Sequence, residues 1–210
     1  MYEVEVKVPA DHDAVRAALE AAGADRRGTV AQSDTYYDAP HRDFAETDEA
    51  FRVRTVASAA DGFERGDDLS GDVDAVLSGS ARADGETRVT YKGPLVEAES
   101  KTREEFETTI GDAEEMAAVL DGLGFEPAAD VRKLRARYRL EEFTVLLDAV
   151  EDVGDYVEIE TEVGGEAEVA AAREDACAVL RDLGLDPTEQ VRTSYLGLRL
   201  GVDETDAENA

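Results

Sequence analysis

Hydrophobic and polar residues alternate along several short stretches of the chain, with the period of two that places successive side chains on opposite faces of a β-strand. In residues 3–8 one face is Glu, Glu and Lys, and the other face is entirely valine. Most of the predicted strands have one charged and one apolar face. The alternation predicts about eight strands, near residues 4–8, 30–37, 49–56, 87–93, 101–108, 130–140, 143–150 and 155–163.

Helices are predicted between the strands, where apolar residues recur at helical spacing and start and stop residues flank them. Residues 57–86 lack any periodicity and contain many Gly, Asp and Ser residues, so we expect an acidic insertion loop, or else a lid, within a single domain of residues 1–200. Residues 201–210 form an acidic tail. The four predicted helices run from about Asp11 to a stop at Gly23, from a capping box at Asp112 and Glu115 to Gly124, over 167–183 and over 188–199.

The charge balance of the 210 residues is strongly acidic, with 51 Asp and Glu against 22 Lys and Arg and a formal net charge of -29. Only four of the basic residues are lysines. Such a surface indicates adaptation to high salt, where electrostatic screening reaches down to about 3 Å at 1 M, and an acidic partner-binding surface is the alternative. The negative field repels nucleic acid and anionic membranes, so we expect neither as a partner.

The location of the protein is predicted from what the sequence lacks. A single cysteine, Cys177, excludes an internal disulfide and any site of several cysteine ligands. No apolar leader segment precedes the first strand, and no apolar run approaches the length of a membrane span. We therefore expect a cytoplasmic protein, and a homodimer is compatible with the sequence.

Basic residues are concentrated on strand faces. In residues 133–139, Lys and three Arg occupy alternate positions, an arrangement that chance produces only at roughly the per-cent level in a chain so poor in cations. Arg52 and Arg54 repeat the pattern, as do Arg88 and Lys92. A negatively charged protein that collects its cations in this way is expected to bind an anion there, although ladders exposed to solvent remain the alternative.

Acidic residues also occupy alternate strand positions, at Glu3 and Glu5 and again in residues 158–162. Like charges side by side on a strand are unfavourable unless something neutralises them, and carboxylates bind Mg²⁺ or Mn²⁺. Phosphoryl chemistry needs both metal and cations. The sequence has no P-loop and no dinucleotide-binding glycine motif, and its two histidines, His12 and His41, do not have the spacing of a zinc site.

Along nearly its whole length the chain resembles the CYTH superfamily of triphosphate tunnel metalloenzymes. The similarity begins with an E-x-E-x-K motif and continues through other short motifs in the family's order. These are Glu3, Glu5 and Lys7; residues 34–38 (DTYYD); Arg52 and Arg54; residues 90–94 (TYKGP); the basic strand from Lys133; residues 147–150 (LDAV); residues 154–160 (GDYVEIE); and Ser194 with Tyr195.

This resemblance implies an α+β fold in which an eight-stranded antiparallel β-barrel forms a tunnel, with helices packed outside. It implies catalytic roles for Lys7 and Lys92, while Glu105 matches only an acidic position. The implied cofactor is Mg²⁺ or Mn²⁺, with metal ligands Glu3, Glu5, Asp148, Glu158 and Glu160. The implied triphosphate contacts are Lys7, Arg52, Arg54, Lys92, Lys133, Arg135 and Arg137. The segment 57–86 is not part of the family core.

Within the superfamily, residues 42–54 resemble the class IV adenylate cyclase branch, which converts ATP into 3′,5′-cyclic AMP and pyrophosphate. The resemblance thus implies ATP, or another triphosphate, as the ligand. An inorganic tripolyphosphatase or a thiamine triphosphatase would use the same residues and is the first alternative. A non-catalytic module that binds nucleotide or polyphosphate is the second, although such a module needs cations and not five metal-binding carboxylates.

Overall fold

The computed structural model describes residues 2–44, 46–79, 85–95 and 103–201. Strands and helices follow one another over most of these ranges. The strands are β1 (Tyr2–Pro9), β2 (Asp25–Asp38), β3 (Ala50–Ser58), β4 (Glu86–Leu95), β5 (Arg103–Ile110), β6 (Glu126–Leu140), β7 (Phe143–Val150) and β8 (Gly154–Val163). The helices are α1 (His12–Ala21), α2 (Leu69–Gly79), α3 (Ala113–Gly122), α4 (Glu166–Asp182) and α5 (Tyr195–Leu200), with a 3₁₀ turn at Pro187–Glu189.

The eight strands belong to one sheet in the order β1-β8-β7-β6-β2-β3-β4-β5. The pairs β1–β8, β7–β8, β2–β3, β3–β4 and β4–β5 are antiparallel. The predicted α+β class with an eight-stranded antiparallel sheet is therefore confirmed. The strand predicted from residue 101 is described from Arg103 onward, and residues 101–102 lie outside the described residues.

The chain divides into two compact units, and the described residues of the first are 2–29 and 135–201. Its core contains the apolar faces of β1, β7 and β8, including Val6, Leu147 and Ile159, together with Leu19 of α1 and Leu180 of α4. All five side chains are at most 1% exposed, and helix α4 packs on β1 and β8. Because strand side chains alternate, the charged residues of these strands lie on the opposite face.

The second unit comprises residues 30–96 and 103–134. Its core lies on the apolar faces of β2, β3 and β4, where Tyr37 and Val53 pack with Leu120 of α3. Partly buried aromatic side chains, among them Phe51 and Phe125, extend this cluster. The charged positions of β2, β3 and β4 again occupy the face opposite the core.

The predicted starts at Asp11 and Asp112 and stops at Gly23 and Gly124 are confirmed for α1 and α3. The side chains of Asp11 and Asp112 accept hydrogen bonds from the second and third amides of α1 and α3, which satisfies donors that have no partner within the helix. Gly23 and Gly124 follow the two helices at φ of 74° and 85°, the left-handed region that glycine adopts without a steric penalty.

The prediction of a loop over the whole of residues 57–86 is wrong, because α2 occupies part of that segment. Val73 and Val76 of α2 are buried, and α2 packs on β3. Arg132 of β6 donates hydrogen bonds to Asp74 and Ser70 of the same helix. Two valines three residues apart are enough to anchor a short helix, but Gly, Ser and Asp residues around them hide that spacing in the sequence.

The helix predicted over residues 188–199 is also corrected. The structure has a 3₁₀ turn at Pro187–Glu189, a non-helical stretch at 190–194 and then α5. The backbone amide of Val191 donates to the carbonyl of Lys7 at 2.8 Å, so that a bond to β1 replaces a helical bond. The Ser194 side chain caps α5 by accepting from Gly197 at 3.1 Å.

Among the described residues, no helix is long and apolar enough to cross a membrane. The acidic tail lies outside the described residues from position 202 onward. The single domain over residues 1–200 stays a prediction.

Candidate active site

The charged face of the first unit brings the two ends of the chain together. Strands β1 and β8 pair so that Glu3 lies opposite Glu162 and Glu5 opposite Glu160. One carboxylate oxygen each from Glu3, Glu5 and Glu160 lies within 4.8 Å of the others. Three of the five predicted metal ligands are therefore gathered by strand pairing over more than 150 residues of sequence.

The protonation of Glu160 depends on its burial and on the charges around it. Burial, assisted by the charges of Glu158, Glu3 and Glu5 and opposed by Arg135, raises the pKa of Glu160 to about 8. A divalent cation would relieve this repulsion, and three carboxylates in reach of one point are the oxygen donors that Mg²⁺ and Mn²⁺ bind. The donor set thus fits the metal that the resemblance implies.

The other two predicted metal ligands, Asp148 and Glu158, are bound to Arg135. Arg135 donates from Nε and Nη2 to the two oxygens of Asp148 at 2.6 and 2.5 Å, and Nη2 also donates to Glu158. Its Nη1 lies 3.8 Å from Glu160. Although burial disfavours its charge, these carboxylates raise the pKa of Arg135. Arg135, predicted as a triphosphate contact, is here the internal counterion of the acidic face.

Lys7 is buried on the same face, with 4% of its surface exposed. Its Nζ donates to the carbonyl oxygen of Thr193 at 2.7 Å and lies 4.3 Å from the ring centroid of Tyr195. In the strand register Lys7 is opposite Glu158. The lysine of the E-x-E-x-K motif thus contacts the segment that precedes α5.

The charged face of the second unit carries an excess of cations. In the register of β2, β3 and β4, Asp34 lies opposite Arg54, and Arg54 lies opposite Arg88. Arg52 lies between Tyr36 and Thr90, and Lys92 lies opposite Glu105 of β5. Strand pairing therefore places on one face the cations that the sequence distributes over two strands.

Asp34 is the buried counterion of these cations. Arg54 binds both of its oxygens, from Nε at 2.6 Å and from Nη2 at 2.7 Å, and Arg52 Nη1 lies 3.5 Å away. Burial opposes the charge of Asp34, but Arg54 and Arg52 outweigh it and hold the pKa of that carboxyl well below its usual range. Asp34 therefore stays ionised and fixes the orientation of both guanidinium groups.

Two glutamates of β5 form ion pairs with the other cations of this face. Glu105 lies 2.9 Å from Lys92 Nζ and 4.0 Å from Arg52 Nη2, and about a third of its side chain is exposed. Glu107 accepts from Arg88 at 2.8 Å and from Thr90 at 2.9 Å. These partly exposed carboxylates are weaker partners than buried Asp34, because water screens their charge.

The remaining predicted contacts on β6 differ in exposure. Lys133 is 3% exposed, and its charge acts on Asp34. Arg137, two positions beyond Arg135, is exposed, as is Arg139. The basic ladder of residues 133–139 is thus buried at its beginning and exposed at its end.

Sequence reasoning assigned no role to Asp34, Glu107, Thr193 or Tyr195, which all contact predicted site residues. Asp34 and Tyr195 lie in motifs that carry the family resemblance, and this was the signal available. Thr193 acts through its backbone carbonyl, which no residue pattern reveals.

Comparison with known proteins identifies the family to which the chain belongs. The CYTH domain model matches residues 1–195, and the chain belongs to the CYTH family. The protein is accordingly a triphosphate-processing enzyme, and the family implies a divalent metal.

Three relatives illustrate the similarity. A Methanocaldococcus jannaschii protein named "Putative adenylate cyclase MJ0240" is 33% identical over 95% of this chain and 99% of its own length. The structure of PH1819 from Pyrococcus horikoshii, also 33% identical, superimposes with a TM-score of 0.78 over 96% of this chain and 99% of that one. HpAC1 from Hippeastrum, described as an adenylyl cyclase candidate with a dominant triphosphatase activity, is 18% identical, with a TM-score of 0.58 over 100% and 99% of the two chains.

Proposed function

We propose that this protein is a class IV adenylate cyclase that converts ATP into 3′,5′-cyclic AMP and pyrophosphate with Mg²⁺ or Mn²⁺. The observation that carries the proposal is the cluster of Glu3, Glu5 and Glu160, whose carboxylate oxygens lie within 4.8 Å of one another in a triphosphate-processing fold. The full-length relative from Methanocaldococcus jannaschii, by its name, supports the cyclase within that class.

In this proposal Glu3, Glu5 and Glu160 hold the metal, and Asp148 and Glu158 complete the acidic face. When bound, the metal supplies charge neutralisation for the phosphates and lowers the pKa of the attacking hydroxyl. Arg135 orients Asp148 and Glu158, because its guanidinium group donates hydrogen bonds to both of them. Arg135 therefore contributes to the site through carboxylates, in addition to any contact with substrate.

The cations bind the phosphate chain. Arg52 and Arg54 present guanidinium groups that Asp34 orients, and a planar guanidinium matches two phosphate oxygens at once. Lys92 contributes a point charge, and the phosphate competes there with partly exposed Glu105. The further proposed contacts are Lys7, Lys133, Arg135 and Arg137, with Lys7 and Lys92 closest to the reacting phosphate.

A cyclase must hold the ribose so that the 3′-oxygen approaches the α-phosphorus in line with the leaving pyrophosphate. The hydroxyl forms a bond to that phosphorus, the bond to the bridging oxygen of the β-phosphate breaks, and the hydroxyl proton is lost. The cations neutralise the charge that develops on the pyrophosphate. The oriented arginines thus favour departure of pyrophosphate as well as binding.

A triphosphate hydrolase is the second candidate, and the dominant triphosphatase activity of Hippeastrum HpAC1 favours keeping it. Water would then attack a terminal phosphate, with no requirement for a ribose. The substrate would be tripolyphosphate or thiamine triphosphate, and the same carboxylates and cations would serve.

Product analysis separates the two candidates. ATP, tripolyphosphate and thiamine triphosphate are each incubated with the protein and Mg²⁺ or Mn²⁺ at matched salt. We expect cyclic AMP and pyrophosphate in equal amounts from ATP. Orthophosphate from tripolyphosphate, without cyclic AMP at any salt concentration, would assign the protein as a hydrolase instead.

A matched pair of variants controls for contaminating activity. Glu160→Gln removes a carboxylate of the cluster and should lower product formation about 100-fold, whereas Glu162→Gln changes an exposed residue of the same strand, outside the cluster. Product formation that survives Glu160→Gln would show that the activity does not come from this site.

A further inference from the structure

The segment that precedes α5 holds Lys7 through both its backbone and its side chain. Val191 donates its amide to the Lys7 carbonyl at 2.8 Å, and two residues later the Thr193 carbonyl accepts from Lys7 Nζ at 2.7 Å. Because these contacts join residues 184 or more positions apart, they bring the C-terminal segment to the first strand. The predicted helix over 188–199 is interrupted at this place.

Tyr195, the first residue of α5, completes the contact with Lys7. The Lys7 ammonium lies 4.3 Å from the Tyr195 ring centroid, within the range of a cation–π interaction. The Tyr195 ring is 8% exposed and packs edge-on against Tyr156 at 5.4 Å between centroids. The Ser194 cap fixes the first turn of α5, so the ring has a defined position over the ammonium.

The surroundings of Tyr195 are acidic. Burial and the charges of Asp148, Glu158 and Glu5 together raise the pKa of the Tyr195 hydroxyl well above its usual range, although Arg135 opposes them. The phenol is therefore neutral throughout the physiological pH range. It offers the ammonium an aromatic face without adding a further negative charge.

A lysine in this position needs such a contact. Its side chain is a flexible four-carbon chain that ends in a compact charge with three donors. On the charged face of the first unit, a Lys7 ammonium without these contacts would form an ion pair with a carboxylate. Glu158 lies directly opposite Lys7 in the strand register. Such an ion pair would remove the charge from a phosphate ligand.

We propose that Tyr195, together with the Thr193 carbonyl, is a positioning residue that holds the Lys7 ammonium away from the neighbouring carboxylates and in place for a phosphate oxygen. This inference rests on the proposed role of Lys7 in binding triphosphate. It requires neither that the substrate is ATP nor that the product is cyclic AMP.

A double-mutant cycle on tripolyphosphate binding tests the proposal. Affinity is measured by calorimetry with Mg²⁺ for the wild type, Tyr195→Phe, Tyr195→Leu, Lys7→Met and the Lys7→Met/Tyr195→Leu double variant. Tyr195→Phe keeps the ring and should bind within about twofold of the wild type, whereas Tyr195→Leu should lose about 10- to 30-fold. In the Lys7→Met background, Tyr195→Leu should have no further effect.

Tyr138→Leu is the matched control. Tyr138 is also 8% exposed and lies in the core of the first unit, on the face opposite Lys7. Tyr138→Leu should lower the melting temperature. It should change the affinity for tripolyphosphate by the same factor in the wild-type and Lys7→Met backgrounds. A purely structural role of Tyr195 would give the same result for Tyr195→Leu, and this outcome would overturn the proposal.

Two other outcomes are also decisive. Wild-type affinity of Lys7→Met would overturn the proposal, because nothing would then need positioning. Coupling between Lys7 and Tyr195 without any cyclic AMP from ATP would support it and would refute the cyclase assignment alone.

A second measurement applies if Tyr195→Leu does not fold. Pentafluorophenylalanine at position 195 keeps the ring shape but withdraws the negative charge from its face. Compared with Tyr195→Phe, it should weaken tripolyphosphate binding about tenfold when Lys7 is present and not at all in Lys7→Met. Equal affinities of the two ring variants in the presence of Lys7 would overturn the proposal.

Discussion

The charged faces of the two units have the same arrangement of charges, with opposite signs. In the first unit the partly buried cation Arg135 binds Asp148 and Glu158 on a face rich in acids. In the second unit the buried anion Asp34 binds Arg54 and Arg52 on a face rich in cations. In both cases one central charge contacts two opposite charges, which is how a folded chain can keep several like charges together.

The two faces differ in what remains after this internal pairing. The acidic face still has the cluster of Glu3, Glu5 and Glu160, in which burial, together with the charges of Glu158, Glu3 and Glu5, raises the pKa of Glu160 to about 8. On the basic face, Lys92 and Arg52 are partly neutralised by partly exposed Glu105. In the proposed mechanism the acidic face therefore gains a cation when metal binds, whereas the basic face exchanges a weak internal partner for phosphate.

The largest expected effects come from removing the two central charges. Asp34→Asn and Arg135→Gln should each lower the free energy of unfolding by about 3–5 kcal/mol, because each leaves buried like charges without their partner. Urea unfolding followed by circular dichroism measures this loss. Losses below about 1 kcal/mol for both variants would contradict the central role of these pairs.

The same two variants test whether the two faces are opposite in charge. Mg²⁺ should restore part of the stability of Arg135→Gln, because it supplies the missing positive charge, and tripolyphosphate should restore part of that of Asp34→Asn. Mg²⁺ should stabilise Asp34→Asn, and tripolyphosphate Arg135→Gln, no more than the same ligand stabilises the wild type. Equal rescue by both ligands would show that ionic strength, and not the local charge, is responsible.

Arg52→Ala should have the next largest effect, on triphosphate affinity. Arg52 is 8% exposed and contacts Asp34 and Glu105, and truncating one partner of a desolvated charged pair costs about 2–5 kcal/mol. Calorimetric titration with tripolyphosphate measures the change. Arg27→Ala is the control, because Arg27 is exposed and forms an ion pair with nearby Asp25, which is also exposed.

Similar losses for Arg27→Ala and Arg52→Ala would show that net charge, and not the cationic face, determines binding. The comparison is made at a single high salt concentration, where the field of distant charges is screened.

Glu160→Gln should lower turnover about 100-fold, because it removes a metal ligand charge. The same variant should unfold at a slightly higher temperature than the wild type in EDTA, since Gln lacks the charge that burial and the charges of Glu158, Glu3 and Glu5 disfavour at this position. Glu162→Gln should change neither property. Full activity of Glu160→Gln in EDTA would refute a metal-dependent mechanism.

Helix caps should give a smaller effect that separates stability from function. Asp11→Ala in the first unit and Asp112→Ala in the second should each cost about 1 kcal/mol of unfolding free energy. Tripolyphosphate affinity should stay unchanged in both variants. A loss of affinity with Asp112→Ala would mean that tripolyphosphate binding depends on the overall stability of the protein.

The smallest expected effect has the opposite sign. Glu105→Gln removes the carboxylate that competes with phosphate for Lys92, and affinity for tripolyphosphate should rise about threefold, in line with a partly exposed ion pair. Weaker binding by Glu105→Gln would indicate that Glu105 takes part in the site directly.

Much of the fold could be predicted because its signals are local. Alternation in residues 3–8 depends only on the strand period, and the stops at Gly23 and Gly124 depend only on the backbone conformation that glycine permits. The two errors have non-local causes. Helix α2 forms because Val73 and Val76 are buried, and the helix over 188–199 is interrupted because Val191 bonds to Lys7 of β1.

The sequence by itself determined which residue types lie on the charged faces, and the family motifs indicated which of them to examine. Only the tertiary structure decided which charges meet. Arg135 binds Asp148 and Glu158, Arg54 binds Asp34, and Lys7 lies against Tyr195. Strand register sets these pairs, and register between strands far apart in sequence depends on the packing of both apolar faces, which no short stretch of residues contains.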